Sequence, residues 1–290
     1  MNHQNTQESV FGRSLLNWDK KTFPQQDRGK DPRSRRVALI VHKYTKPGTP
    51  KVLNYVRKYL ESFRIRYVTT RTDDRLLVDL KYEMTKETAN PKYSLIIFYE
   101  FQTFLSLSPF ARDVINNYCA KFKTGQLFFA GNNYGKISMF DLEVKRVEKD
   151  RLYNLRVNPS SRILWMTKPV IETGRTASRT RLSYFQFGRS DHNYETVAHF
   201  VTPRSADHVM SERTKVAMLL DDGKASGIKR IFTTLTSAFF LNSLLFLDAL
   251  KYLSVLPARY TLKRYIQVDI DDIFIGKSGL RLKRSDVKVS

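Results

Sequence analysis

Three carboxylates stand within four residues near the end of the chain: Asp269, Asp271 and Asp272 follow the apolar run Tyr265-Ile266-Gln267-Val268. The run reads as a strand, and in α/β folds ligands and catalytic groups gather at the carboxyl ends of strands. Carboxylates crowded in this way repel, and the crowding is tolerated where a cation or shifted pKa values relieve it. Strand side chains alternate, so Asp269 and Asp271 share one face and Asp272 begins the other. One carboxylate can then bind a hard or borderline cation while a neighbour acts as a base toward water. The same residues also allow a structural reading, in which they cap the following turn and pair with nearby Lys and Arg.

Other constellations are less specific. Arg175, Arg179, Arg181 and Arg189, with Tyr184, Phe185 and Phe187 nearby, could grip a polyanion, and arginines interleaved with aromatics also suit single-stranded nucleic acid. The alternative is a solvated loop beside ordinary core aromatics. Gly131-Asn132-Asn133-Tyr134-Gly135 follows a strand candidate but lacks a dinucleotide fingerprint, and it reads as a turn. The single cysteine, Cys119, excludes an intrachain disulfide and a cysteine-based zinc site, and it sits in a helical pattern as a small core residue. None of His42, His192, His199 and His208 stands in an H-x-x-x-H spacing, and His199 reads as a core histidine.

The elements that must position these groups follow from the apolar pattern. Residues 1–35 are polar, without apolar periodicity, and are expected to be a disordered leader. Val37 to Val41 suits a strand buried on both faces, Val52, Val56, Tyr59, Leu60 and Phe63 recur at helical spacing, and Ile65 to Thr69 reads as the next strand. Tyr93 to Phe98 is another buried strand. A helix entered through Ser108-Pro109 and closed near Gly125 precedes a strand at Gln126–Gly131. This βαβ order predicts an α/β fold with an open, mostly parallel sheet and helices on both faces. From about 150 to 205 a β-rich segment is expected, with strands at Arg162–Met166 and Tyr184–Phe187. Ile228–Phe232 returns to strand, Ser237–Leu253 reads as a buried helix, and Tyr265–Ile270 is the last strand. The helix is interrupted by Asn242, Asp248 and Lys251, and no membrane span or signal-peptide core is expected in this chain.

Charge narrows the partners. Lys and Arg total 50 against 28 Asp and Glu, a net charge of +22 with a pI near 10.0, while 41% hydrophobic residues suffice for a packed core. A field of that sign recruits polyanions. Composition alone leaves nucleic acid, anionic lipid and acidic polysaccharide open.

The 13-residue run from Tyr265 to Lys277, followed by Gly279 and Asp286-Val287-Lys288, closely resembles the start of the deacetylase domain in heparan sulfate N-deacetylase/N-sulfotransferases. Weaker matches fall upstream in the family's order: Val157-Asn158-Pro159-Ser160-Ser161, Leu164, Thr167-Lys168-Pro169, Asp222-Gly223, Gly227-Ile228-Lys229-Arg230 and Phe246-Leu247-Asp248-Ala249. The resemblance implies a family N-terminal α/β region over 36–260 and, at 261–290, the beginning of a polysaccharide-deacetylase-type (β/α) barrel. It also implies that Asp271 is the catalytic base, that Asp272 is a ligand to a divalent metal, and that Asp269 supports the site from behind. A pair of His ligands is expected further along such a chain. The phosphosulfate donor, 3'-phosphoadenosine 5'-phosphosulfate, would bind only a sulfotransferase domain that this sequence does not contain.

The function expected is therefore the N-terminal portion of a Golgi enzyme of heparan sulfate and heparin biosynthesis. Family members deacetylate N-acetylglucosamine in an acidic polysaccharide, N-acetylheparosan, and then N-sulfate it. Taken alone, the chain is expected to be catalytically incomplete. A basic nucleic-acid-binding module without catalysis is the alternative, but no RNA- or DNA-binding motif is found and nucleic acid is not the expected partner.

Overall fold

A computed structural model describes residues 37–42, 51–63, 65–71, 74–86, 91–131, 134–146, 152–165, 167, 175–177, 182–187, 194–201, 215–235 and 240–254. The chain divides into two compact units, 1–257 and 258–290, and every described residue lies in the first.

Apolar runs too short for helices form the centre of the sheet. β1 (Val37–His42), β3 (Tyr93–Phe98) and β4 (Gly125–Phe129) pair in parallel, with β2 (Tyr67–Arg71) outside β1. All six residues of β3 and all five of β4 are buried, as expected for strands covered on both faces. Between them run α1 (Lys51–Ser62), α2 (Asp74–Thr85), the single turn α3 (Phe101–Leu105) and α4 (Pro109–Phe122). In α1, Leu53, Val56 and Leu60 are buried while Asn54, Lys58 and Glu61 are exposed, which is the one-sided stripe its spacing predicts. The α4 start is also as predicted: the Ser108 hydroxyl accepts from the Ala111 amide at 3.2 Å, and Pro109 occupies the first turn.

The end of α4 differs from expectation. Lys123, not a glycine, takes the left-handed conformation at φ 55°, and Gly125 is already in β4. Gly125 is required for close approach, because a Cβ there would lie 2.7 Å from the Leu253 carbonyl oxygen and 2.9 Å from its Cα. Helix α2 has no counterpart among the elements expected from the sequence.

After β4 the chain leaves the parallel pattern. β5 (Gly135–Ile137), β6 (Leu142–Arg146), β7 (Leu152–Val157), β8 (Arg175–Ala177), β9 (Ser183–Phe187), β10 (Tyr194–Val201) and β11 (Lys215–Asp221) pair antiparallel with one another. The β-rich part thus begins at Gly135 and runs through β11, wider than the expected 150–205. β12 (Arg230–Thr233) then returns beside β4 in parallel, with β11 antiparallel on its other side, and α5 (Phe240–Leu253) closes the described chain. The sheet is therefore mixed: β2-β1-β3-β4-β12 is parallel and β11-β10-β7-β8 continues it antiparallel. The expected strand at Arg162–Met166 is corrected: residues 162–165 form turns, and Met166 lies outside the described residues.

Helices cover both faces. α1 and α5 meet through Tyr55 and Phe246, with ring centroids 5.8 Å apart, and through the Tyr59–Ser243 hydroxyl hydrogen bond. The opposite face carries α2 and α4. There the place of a crossover helix between β4 and β12 is taken by the β5-β6-β9 ribbon, whose Phe140 and Phe185 join the core. Phe98, Phe128 and Phe232 occupy register-paired positions on β3, β4 and β12, and their rings stack at 4.9 and 5.2 Å. Each such pair adds about 0.5–1.5 kcal/mol beyond burial.

Gly125→Ala forces the C-terminus of α5 off the sheet. Urea denaturation should show a loss of about 1–3 kcal/mol; unchanged stability would contradict the close approach.

Candidate functional site

The order β2-β1-β3 reverses the direction of the crossovers between the parallel strands β1 and β3, and ligands of open α/β sheets bind at the carboxyl ends of strands beside such a point. Here that edge carries His42 at the end of β1, followed across the sheet by Tyr99 and Glu100 after β3 and by Gly131 after β4. The His42 and Tyr99 ring centroids are 6.4 Å apart. Burial raises the Glu100 carboxyl above the usual carboxylate range. Gly131 holds φ 64°, and a Cβ there would come within 3.0 Å of Glu100 Cγ, so the glycine lets the two loops touch. Among the described residues no group of three His, Cys, Asp or Glu side chains is placed to hold a metal ion.

Asp269, Asp271 and Asp272 lie outside the described residues, as do Arg179, Arg181 and Arg189. Arg175 opens β8 and pairs with Asn154 of β7, with its side chain outside the description. The final strand expected at Tyr265–Ile270 is also outside it. Cys119 is a fully buried core thiol that accepts a 3.3 Å contact from Gln126, and burial pushes its pKa up to about 12, which leaves no thiolate at neutral pH. His199 lies in β10 opposite Arg156, where burial and then the Arg156 charge lower its pKa. It is only partly buried, so it borders the core.

The opposite, amino edge holds a polar junction that sequence reasoning did not assemble. Arg230, at the start of β12 and 5% exposed, donates Nε–H to Gln126 Oε1 at 3.0 Å. Its Nη1 donates to Asp221 Oδ2 at 3.0 Å and to the Ser226 hydroxyl at 2.6 Å. Gln126 passes the chain on to Asn116 of α4 at 3.1 Å. The turn that brings Asp221 back to Arg230 needs left-handed glycines, Gly223 at φ 79° and Gly227 at φ 72°. Beside it, Arg162 bridges Glu195 at 2.9 Å and Asp222 at 3.1 Å, and the Ser161 hydroxyl also donates to Glu195. Burial works to raise the Asp222 carboxyl, but hydrogen bonds and charge from Lys224, together with the Arg162 charge, hold it below the usual range.

A third knot fixes the turn that had been expected as a strand. Asp248, fully buried in α5, accepts from the Trp165 amide at 3.2 Å, from the Thr167 amide at 3.1 Å and from the Thr167 hydroxyl. The signal for this was present in the sequence as the one acidic residue of a mostly apolar helix. Such a residue has to be satisfied from outside its own helix. The short segments around Asn158–Ser161, Leu164, Thr167, Asp222-Gly223, Gly227–Arg230 and Phe246–Ala249 are thus neighbours at one edge of the fold.

Residues 39–253 match the family model described as heparan sulfate-N-deacetylase, N-terminal domain, and residues 263–290 match the one described as heparan sulfate-N-deacetylase, deacetylase domain. The chain is 29% identical over 206 residues to bifunctional heparan sulfate N-deacetylase/N-sulfotransferase 4 of Mus musculus, covering 70% of this chain and 24% of the relative. It is 30% identical over 203 residues to the human protein numbered 3, covering 68% and 23%, and 28% identical over 266 residues to the mouse protein numbered 2, covering 89% and 29%. The chain spans about a quarter of the length of the curated relatives it matches.

Asp248→Ala strips the Trp165 and Thr167 amides of their acceptor. The expected cost is about 2–4 kcal/mol by chemical denaturation, with faster amide hydrogen exchange at Thr167; exchange unchanged at that amide would contradict the assignment.

Proposed function

The chain belongs to the heparan sulfate N-deacetylase family, and from that premise we propose that it serves the removal of acetyl groups from N-acetylglucosamine in a nascent glucuronate-rich polysaccharide of the heparan sulfate pathway, in the Golgi. The observation that carries the reading is that the Asp271-Asp272 pair falls inside the stretch matching the deacetylase domain, directly behind a domain-sized match to the family's N-terminal region. In this reading the N-sulfation named in the relatives, with 3'-phosphoadenosine 5'-phosphosulfate as its donor, would fall to regions outside the two matched stretches.

In this reading the N-terminal α/β unit is a support and a docking element, and the chemistry lies in 261–290 and in sequence that follows it in relatives. The donor set of this stretch fits a hard or borderline divalent cation, since its carboxylate oxygens are suitable ligands. Asp272 would hold the cation, which when bound lowers the pKa of water and polarises the amide carbonyl. Asp271 would take the proton from the attacking water and pass it to the departing amine, so that acetate leaves and a free glucosamine amine remains. Asp269, two residues earlier, would orient the pair. Lys and Arg in excess hold the polymer's carboxylates near the protein.

With the deacetylase region of the mouse relative joined after Ser290, Asp271→Asn should lower acetate release by about 100-fold or more while metal affinity persists. Asp272→Asn should weaken both metal binding and turnover. Near-normal turnover in both variants would defeat the deacetylase assignment of these residues.

A further inference from the structure

The amino edge of the sheet carries an outward layer of cations above sunken carboxylates. Asp222 and Glu195 have side chains only 10% and 22% exposed, whereas the Arg162 and Lys224 side chains that cover them are 51% and 69% exposed. Arg162 is fixed by two ion pairs, and Lys224 reaches Asp222 at 3.3 Å, so the cations are held outermost in defined places. The layer continues over the end of α5. Lys229 Nζ lies 4.6 Å from the Tyr252 ring centroid, and Lys251 Nζ lies 3.1 Å from that of Trp165. Trp165 is 45% exposed, unusual for the largest apolar side chain in a domain with an ample core.

Four cations against two carboxylates leave this face with a net positive charge of two. Lys229 and Lys251 rest on ring faces yet remain exposed, so their ammonium groups are open to an anion from solvent. Trp165 adds an amphipathic plate suited to the C–H face of a pyranose ring.

We infer that this edge, formed by Arg162, Lys224, Lys229, Lys251 and Trp165, is a non-catalytic docking strip for an acidic polysaccharide whose uronate carboxylates meet the cations while a sugar ring lies on the indole. The inference rests on the polysaccharide reading above but not on Asp271 or Asp272. A nucleic-acid strand fits less well, because sequence-tolerant strand binding uses successive aromatic platforms, and this strip presents the single exposed indole of Trp165. The strip lies at the edge opposite the carboxyl ends of the parallel strands.

The test is equilibrium binding of the 290-residue chain to fluorescent unsulfated heparosan oligosaccharides at low salt, with single-stranded RNA as a second probe. The triple variant Lys224→Gln/Lys229→Gln/Lys251→Gln keeps Arg162 and its ion pairs, and circular dichroism checks its fold. It should weaken heparosan binding about ten-fold or more. The matched variant Lys81→Gln/Lys86→Gln/Lys121→Gln, which removes equal charge around α2 and α4, should change binding less than about two-fold. Trp165→Ala should weaken binding with no change in charge. Equal losses in the two triple variants, no heparosan binding by the wild type, or tighter binding of RNA at this strip would each overturn the inference. Only affinity is read, so failure here is distinct from failure of the Asp271 and Asp272 assignments, which are read by acetate release.

Discussion

A guanidinium buried where the sheet changes from parallel to antiparallel is the constraint on which the rest of the fold depends. Arg230 begins β12, the strand with a parallel neighbour on one side and an antiparallel one on the other. Its charge has left water, and that costs several kcal/mol unless hydrogen bonds and a counter-charge replace the hydration. Gln126, Asp221 and Ser226 supply them from β4, from β11 and from the connecting turn. Satisfying this one side chain therefore fixes the register of three neighbouring strands, and the stacked Phe98, Phe128 and Phe232 rings propagate that register across the core.

The polar connections at the same edge extend this fixing to parts distant in the chain. The Asn158 amide side chain donates to the Thr196 carbonyl, Arg162 joins the β10 start to the β11 end, and Asp248 ties Trp165 and Thr167 to α5. These contacts span 38 to 83 residues of sequence. A family resemblance scattered through short, individually weak segments acquires a physical meaning here, since the segments are the contacts of one interlocked edge. The opposite edge brings together His42, Tyr99, Glu100 and Gly131, with a carboxyl whose pKa burial raises.

Much of the parallel half was legible because doubly covered strands leave a plain apolar run, as in Tyr93–Phe98, and because Ser108-Pro109 is a local helix-start signal with a local cause. The segment Arg162–Trp165 misled for the same reason, since its apolar residues suggest a strand while its amides bond elsewhere: Arg162 to Glu195, Leu164 to the Ser161 carbonyl and Trp165 to Asp248. Helix α2 escaped notice because exposed Val78 and Tyr82 blur the stripe formed by Leu76 and Leu80. The width of the β-rich part was hidden because β5 and β6 are short, and few of their residues are apolar: Ile137, Leu142 and Val144 join a core shared with Phe140 and Phe185. The assignment of Asp271 and Asp272 rests on sequence alone, on their crowding after an apolar run and their family resemblance, since both lie outside the described residues.

The most direct test of this account is a double-mutant cycle between Arg230 and Asp221, read by urea denaturation. Arg230→Met leaves Asp221 without its partner and should cost about 3–5 kcal/mol. Asp221→Asn made in the Arg230→Met background should then cost much less than it does alone, giving a coupling energy above about 1 kcal/mol. Additive effects, or an Arg230→Met variant as stable as the wild type, would contradict the claim that this buried guanidinium organises the sheet.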